Sequence, residues 1–137
     1  MLRHFSRVLA ACVVLLGGLA VAADRQPTVV KAEDLTRTYA TDPEGFDKSF
    51  KGKTVIVEGT VAFPNAQDSI SKKSYVMLRG YQKPGDPVDT QVRCESNKSL
   101  EGLKAGQKVR IQGTVGPHVK TRFAAELTNC ELVKDGK

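Results

Sequence analysis

Two ten-residue stretches of this chain are near copies of each other. Gly52 to Val61 (GKTVIVEGTV) and Gly106 to Val115 (GQKVRIQGTV) agree at five of ten positions, with two further conservative exchanges. Both alternate apolar and polar residues with a period of two, the pattern of a half-buried strand. Both also carry a glycine inside that pattern, Gly59 and Gly113. A glycine within a strand marks a bend, a bulge or a close approach, and sheets curl at such positions. Two equivalent strands built this way constrain the chain toward a small, curled sheet.

Upstream of Lys51 the apolar spacing is near four. Asp24 to Val30 reads as a loose lead-in. Ala32-Glu33-Asp34 then puts acids in the first turn of a helix, where its dipole favours them, and Leu35 and Tyr39 fall on one face. Asp42 reads as an N-cap with Pro43 at the first helical position, and Phe46 and Phe50 repeat the spacing of four. Two short helices, or one broken helix, would carry these four apolar anchors onto a sheet.

Beyond the first strand, Tyr75 to Tyr81 alternates Val76 and Leu78 against Tyr75, Met77, Arg79 and Tyr81. Thr90 to Glu95 sets Val92 and Cys94 against Gln91, Arg93 and Glu95. Ser96 to Ala105 reads as a short helix with Leu100 and Leu103 inward, ended by Gly106. Lys108 to Val115 is a fourth strand and Phe123 to Val133 a fifth. In the fifth, Leu127 and Cys130 are three apart, and a bulge between them would restore the alternation. The expected fold is therefore mainly β: a five-stranded OB-fold barrel with an N-terminal helical lead-in and a short helix between strands three and four.

The first 23 residues stand apart. Arg3 and Arg7 precede an apolar run from Val8 to Ala23, and Ala20-Val21-Ala22 fits small-residue cleavage before Ala23 or Asp24. This is the make-up of a secretory signal peptide, leaving residues 24–137 as one domain. The expected location is periplasmic or extracellular, without stable membrane insertion after cleavage. The alternatives are a membrane anchor through residues 8–23 or an acylated Cys12, since Leu9-Ala10-Ala11-Cys12 resembles a lipobox. Cleavage leaves 19 Lys and Arg against 15 Asp and Glu, a mild excess that implies weak attraction to polyanions or anionic surfaces. It also leaves two cysteines, Cys94 and Cys130, and an even count in an exported chain points to a disulfide between them.

Lys31 to Val133 resembles the bacterial tRNA-anti-like family of OB-folds. The resemblance rests on Tyr39-Ala40, Phe50-Lys51-Gly52-Lys53, Val57 to Val61 (VEGTV), Tyr75 to Leu78 (YVML), Val92-Arg93-Cys94, Leu103 to Val109 (LKAGQKV) and Leu127 to Cys130 (LTNC), in that order. It implies an exported small domain with this barrel and this disulfide, and it implies no particular reaction.

The residues point away from an enzyme. Nucleophile motifs and phosphate-binding glycine loops are missing, and no spaced ligand set implies a metal or a cofactor. The mature chain's one histidine, His118, falls on the turn Gly116 to Val119 and reads as an exposed titrating side chain. Glu33, Asp34, Asp42, Glu44 and Asp47 read as a solvated acidic face. The candidate ligand site is the outward face of strands two and three: Tyr75, Met77, Arg79, Tyr81, Gln91 and Arg93. OB-folds bind across these strands, and rings beside arginine stack on bases or sugars. The expected partner is a protein, an oligosaccharide or another extended ligand, held without catalysis. The alternative is sequence-tolerant binding of single-stranded nucleic acid, drawn by Lys72, Lys73, Arg79 and Arg93. The opposing possibility is that the N-terminal helices simply cover this face.

Overall fold

The computed structural model describes residues 26–98 and 100–134. The export segment expected over residues 1–23, with Cys12, lies outside them. In chain order the elements are β1 (Thr28–Lys31), α1 (Ala32–Thr41), α2 (Pro43–Phe50), β2 (Thr54–Gln67), β3 (Ser74–Leu78), β4 (Gln91–Ser96), β5 (Lys108–Val115) and β6 (Ala124–Leu132).

The 14-residue β2 is the seam of a closed barrel. Over Thr54 to Thr60 it pairs antiparallel with β5, and from Val61 to Gln67 it pairs antiparallel with β3. The ring continues β3–β4 antiparallel, β4–β6 parallel and β6–β5 antiparallel, which brings it back to β2. The barrel interior is filled by the alternate residues that the sequence pattern selects, among them Val55, Val57, Val61, Val76, Leu78, Val92, Ile111 and Leu127.

The helices plug this barrel. Asp42 caps α2 by accepting a hydrogen bond from the Gly45 amide at 3.0 Å, with Pro43 opening the helix as expected. Leu35, Tyr39 and Phe46 are all buried, and the Tyr39 and Phe46 rings meet edge to face at 4.9 Å. The Tyr39 hydroxyl donates to the Val119 carbonyl at 3.0 Å and accepts from the Val119 amide at 3.2 Å. One phenol thus ties α1 to the loop before β6.

The paired glycines of the repeat each allow a close approach. A Cβ on Gly59 would lie 2.9 Å from the Ala32 methyl, so its absence lets α1 start against β2. A Cβ on Gly113 would lie 2.9 Å from the Cys130 sulfur and 3.1 Å from the Leu127 Cβ. Gly113→Ala is therefore expected to lower stability by about 1–3 kcal/mol through overpacking, read by urea denaturation. A neutral result would mean that the Cys130 side of the barrel is looser than these distances imply. The expected bulge in the last strand is present. Gln112 pairs with Glu131 and Thr114 with Thr128, leaving one extra residue in β6, and Asn129 takes φ 53°. The bulge turns both Leu127 and Cys130 inward.

Four expectations are corrected. The lead-in expected to be loose contains β1, which pairs parallel with Val55 to Glu58 of β2 outside the ring. Parallel pairing needs a crossover, and α1 with α2 supplies it. The helix expected over Ser96 to Ala105 does not form; the described residues there make turns, and Gly102 sits at φ 82°, outside helical space. Leu100 and Leu103 still reach the core, so the spacing recorded burial rather than a helix. The second strand stops at Leu78, short of Tyr81. His118 is half-buried, its ring 4.3 Å from that of Tyr39, and its amide donates to Asp47 Oδ1 at 2.7 Å.

Candidate functional site

The pleat of β3 and β4 turns Tyr75, Met77, Gln91 and Arg93 to the outside of the barrel while Val76, Leu78, Val92 and Cys94 go in. Register then aligns them. Met77 faces Phe63 of β2 on one side and Arg93 of β4 on the other, and Arg93 in turn faces Glu126 of β6. One position along, Tyr75 lies between Ala66 and Glu95, and Gln91 faces Ala124. All of these but Glu95 line a cavity of about 670 Å³, whose rim carries Phe63, Val88 and Phe123. Those three are 61 %, 67 % and 88 % exposed. No residue of α1 or α2 lines it, so the helices do not cover this face.

Four of the six expected residues therefore share one groove, and two do not. Past the end of β3, the Arg79 amide donates to the Thr60 carbonyl and the side chain lines a different cavity. Tyr81 belongs to α1: its amide donates to the Thr36 hydroxyl at 2.7 Å, and the Arg37 guanidinium lies 5.0 Å from its ring centre.

Charge in the groove is paired. The Arg93 guanidinium lies 4.3 Å from the Tyr75 ring centre, 3.0 Å from Asp68 Oδ2 and 3.7 Å from Glu95 Oε2. Lys73 contacts Glu95 at 3.0 Å, and Arg122 pairs with Glu126. Asp68 caps the loop between β2 and β3 by accepting from the Ser71 and Ile70 amides at 2.8 and 2.9 Å. The Ser71 amide, the Arg93 guanidinium and the Ile70 amide together hold its carboxyl well below the usual carboxylate range. Asp68 thus stays ionised and holds Arg93 over the Tyr75 ring. The result is a row of rings and thioether with its cations neutralised, suited to stacking and van der Waals contact. Among the described residues no cluster of three or more His, Cys, Asp or Glu is arranged to hold a metal.

Phe63 and Phe123 were missed from sequence for the same reason. Strict alternation from Val61 and from Ala125 puts both inside the barrel. A register shift between Val61 and Phe63 turns the first outward, and the second precedes the first paired residue of β6. Pro64, directly after Phe63, is the only local sign that the ladder breaks there.

A family model described as tRNA_anti-like matches residues 18–123. No curated protein matches the chain. Among solved structures, it is similar to one described as a "putative nucleic acid-binding lipoprotein" from Klebsiella pneumoniae subsp. pneumoniae. The two share 17 % identity with a TM-score of 0.53, over 77 % of this chain and 92 % of that one. At that identity the likeness is one of fold.

Proposed function

We propose that this chain, which belongs to the tRNA_anti-like family, is an exported, non-enzymatic binding module that holds an extended, uncharged ligand on the outer face of β3 and β4. A peptide segment or an oligosaccharide fits this description. One observation carries the reading: Phe63, Tyr75, Met77 and Phe123 line a single open groove, two of them as largely exposed rings. Exposed rings gathered around a cavity are characteristic of ligand and partner sites. The preference for an uncharged ligand follows from the pairing of Arg93 with Asp68 and of Arg122 with Glu126, which leaves little net field for a phosphate chain.

Single-stranded nucleic acid is the second reading. Tyr75 stacked under Arg93 supports it, and so does the description of the solved relative. The two readings separate in one experiment. Neutral oligosaccharides, unstructured peptides and oligothymidylate are titrated in parallel, followed by backbone amide shifts. The expected result is saturable binding of a neutral probe, with shifts centred on Phe63, Tyr75, Met77 and Phe123. Phe63→Ala with Phe123→Ala is expected to weaken it by about tenfold or more, since a stacked ring is worth roughly 1–3 kcal/mol. Oligothymidylate binding that falls steeply with salt and maps to the same residues would establish the second reading instead. Shifts confined to other faces would reject both.

A further inference from the structure

A second cavity, of about 860 Å³, opens on the other side of the barrel, against the outer face of β2 and β5. Its chemistry is the reverse of the first. Lys31, Arg79, Lys108 and Lys134 line it, and none has a carboxylate partner among the described residues. The carboxylates nearby are engaged, Glu58 with Arg110 at 3.2 Å and Glu33 with Arg37 at 2.6 Å. The space between the cations is aliphatic, with Leu103, Val109, Leu132 and Val133 and no aromatic ring.

We propose that this face docks on an anionic phospholipid surface. Two observations select that occupant. Unpaired cations on one face are the electrostatic complement of lipid phosphates, and lysine stems can lie along aliphatic surface while their heads reach charge. The missing ring removes the stacking platform on which single-stranded nucleic acid depends. β1 ends at this cavity, in Lys31. Docking there would leave the ring-lined groove of β3 and β4 open to its own ligand.

Each lysine or arginine near an anionic surface is worth roughly fivefold in partition, less at high salt. The test is co-sedimentation of the protein, purified from its own host, with vesicles of phosphatidylcholine alone or with added phosphatidylglycerol. Preference for the anionic vesicles is expected. K108E with K134E should reduce that preference by about 20-fold or more, because each exchange replaces an attraction with a repulsion. K83E with K120E makes the same change in net charge at two residues that line neither cavity, and should retain most of the preference. Equal losses in both variants would mean net charge alone is at work and would overturn the proposal. So would equal partition onto neutral and anionic vesicles, or low-salt oligothymidylate binding that K108E with K134E abolishes. Melting curves confirm folding, and K134E alone, at an exposed site beyond β6, serves if the double variant fails to fold.

Discussion

Phe46→Ala is expected to cost about 3–5 kcal/mol, the range for emptying a buried phenylalanine site. That is a large part of a typical domain stability of about 5–15 kcal/mol. The ring is fully buried at the end of the barrel, against Tyr39 at 4.9 Å and Phe50 at 5.6 Å, with His118 at 6.5 Å. The rings around the site cannot fully fill the space a phenyl leaves. Asp42→Ala, at the cap of the same helix, should cost only about 1 kcal/mol, because it removes one exposed hydrogen bond. Chemical denaturation of both variants checks the ordering. Equal and small effects would mean that α2 rests on the barrel without plugging it.

Oxidation is expected to have an effect of similar size. Cys94 and Cys130 stand in the structure as free thiols, both buried, each turned into the barrel from adjacent strands. Cys130 donates to the Leu127 carbonyl at 3.4 Å. The Cys94 thiol is pushed well above its ordinary value of 9.0 by its hydrogen bond with Cys130 and then by burial. The protein recovered from an oxidising compartment should carry the Cys94–Cys130 bond. By the loop-entropy model that bond adds about 3–4 kcal/mol, raising the melting temperature by roughly 10 °C or more. Melting with and without reductant, with intact mass to count the two lost hydrogens, measures it. An exported protein with both thiols intact and no response to reductant would defeat the expectation.

The Cys94 thiol also sets a pH dependence for the reduced protein. The folded thiol resists ionisation and the unfolded one does not, so stability is fully present below the unfolded pKa of about 9.0 and declines as pH rises above it. The oxidised protein has no such thiol and should lack that decline. Comparing urea midpoints of the two forms across this range tests the sign.

Much of the fold is legible in local pattern because a barrel strand has one wet side and one dry side. Val55, Val57, Val76, Val92 and Ile111 declare their strands by parity alone. The two glycines of the repeat declare where the barrel curls, and the three-residue step from Leu127 to Cys130 declares a bulge. Asp42-Pro43 fixes the start of α2 through groups that act within one turn. None of these needs a distant partner to be understood.

What the pattern misread depends on partners far along the chain. Thr28 to Lys31 has too little alternation to read as a strand and becomes one because β2 offers an edge beside it. Leu100 and Leu103 have helical spacing, yet Gly102 and the core beneath them make turns. Of the six residues assigned to a ligand face, Tyr75, Met77, Gln91 and Arg93 meet because they lie on paired strands. Arg79 and Tyr81 part from them because β3 ends at Leu78 and Thr36 takes the Tyr81 amide. Phe63 and Phe123 join the groove only through a register shift and a strand boundary. The sequence by itself determined which side chains shun water, since that is a property of each residue and its neighbours. Which of them meet on the surface was decided by strand register, a long-range pairing in which a single displaced residue turns every following side chain to the opposite face.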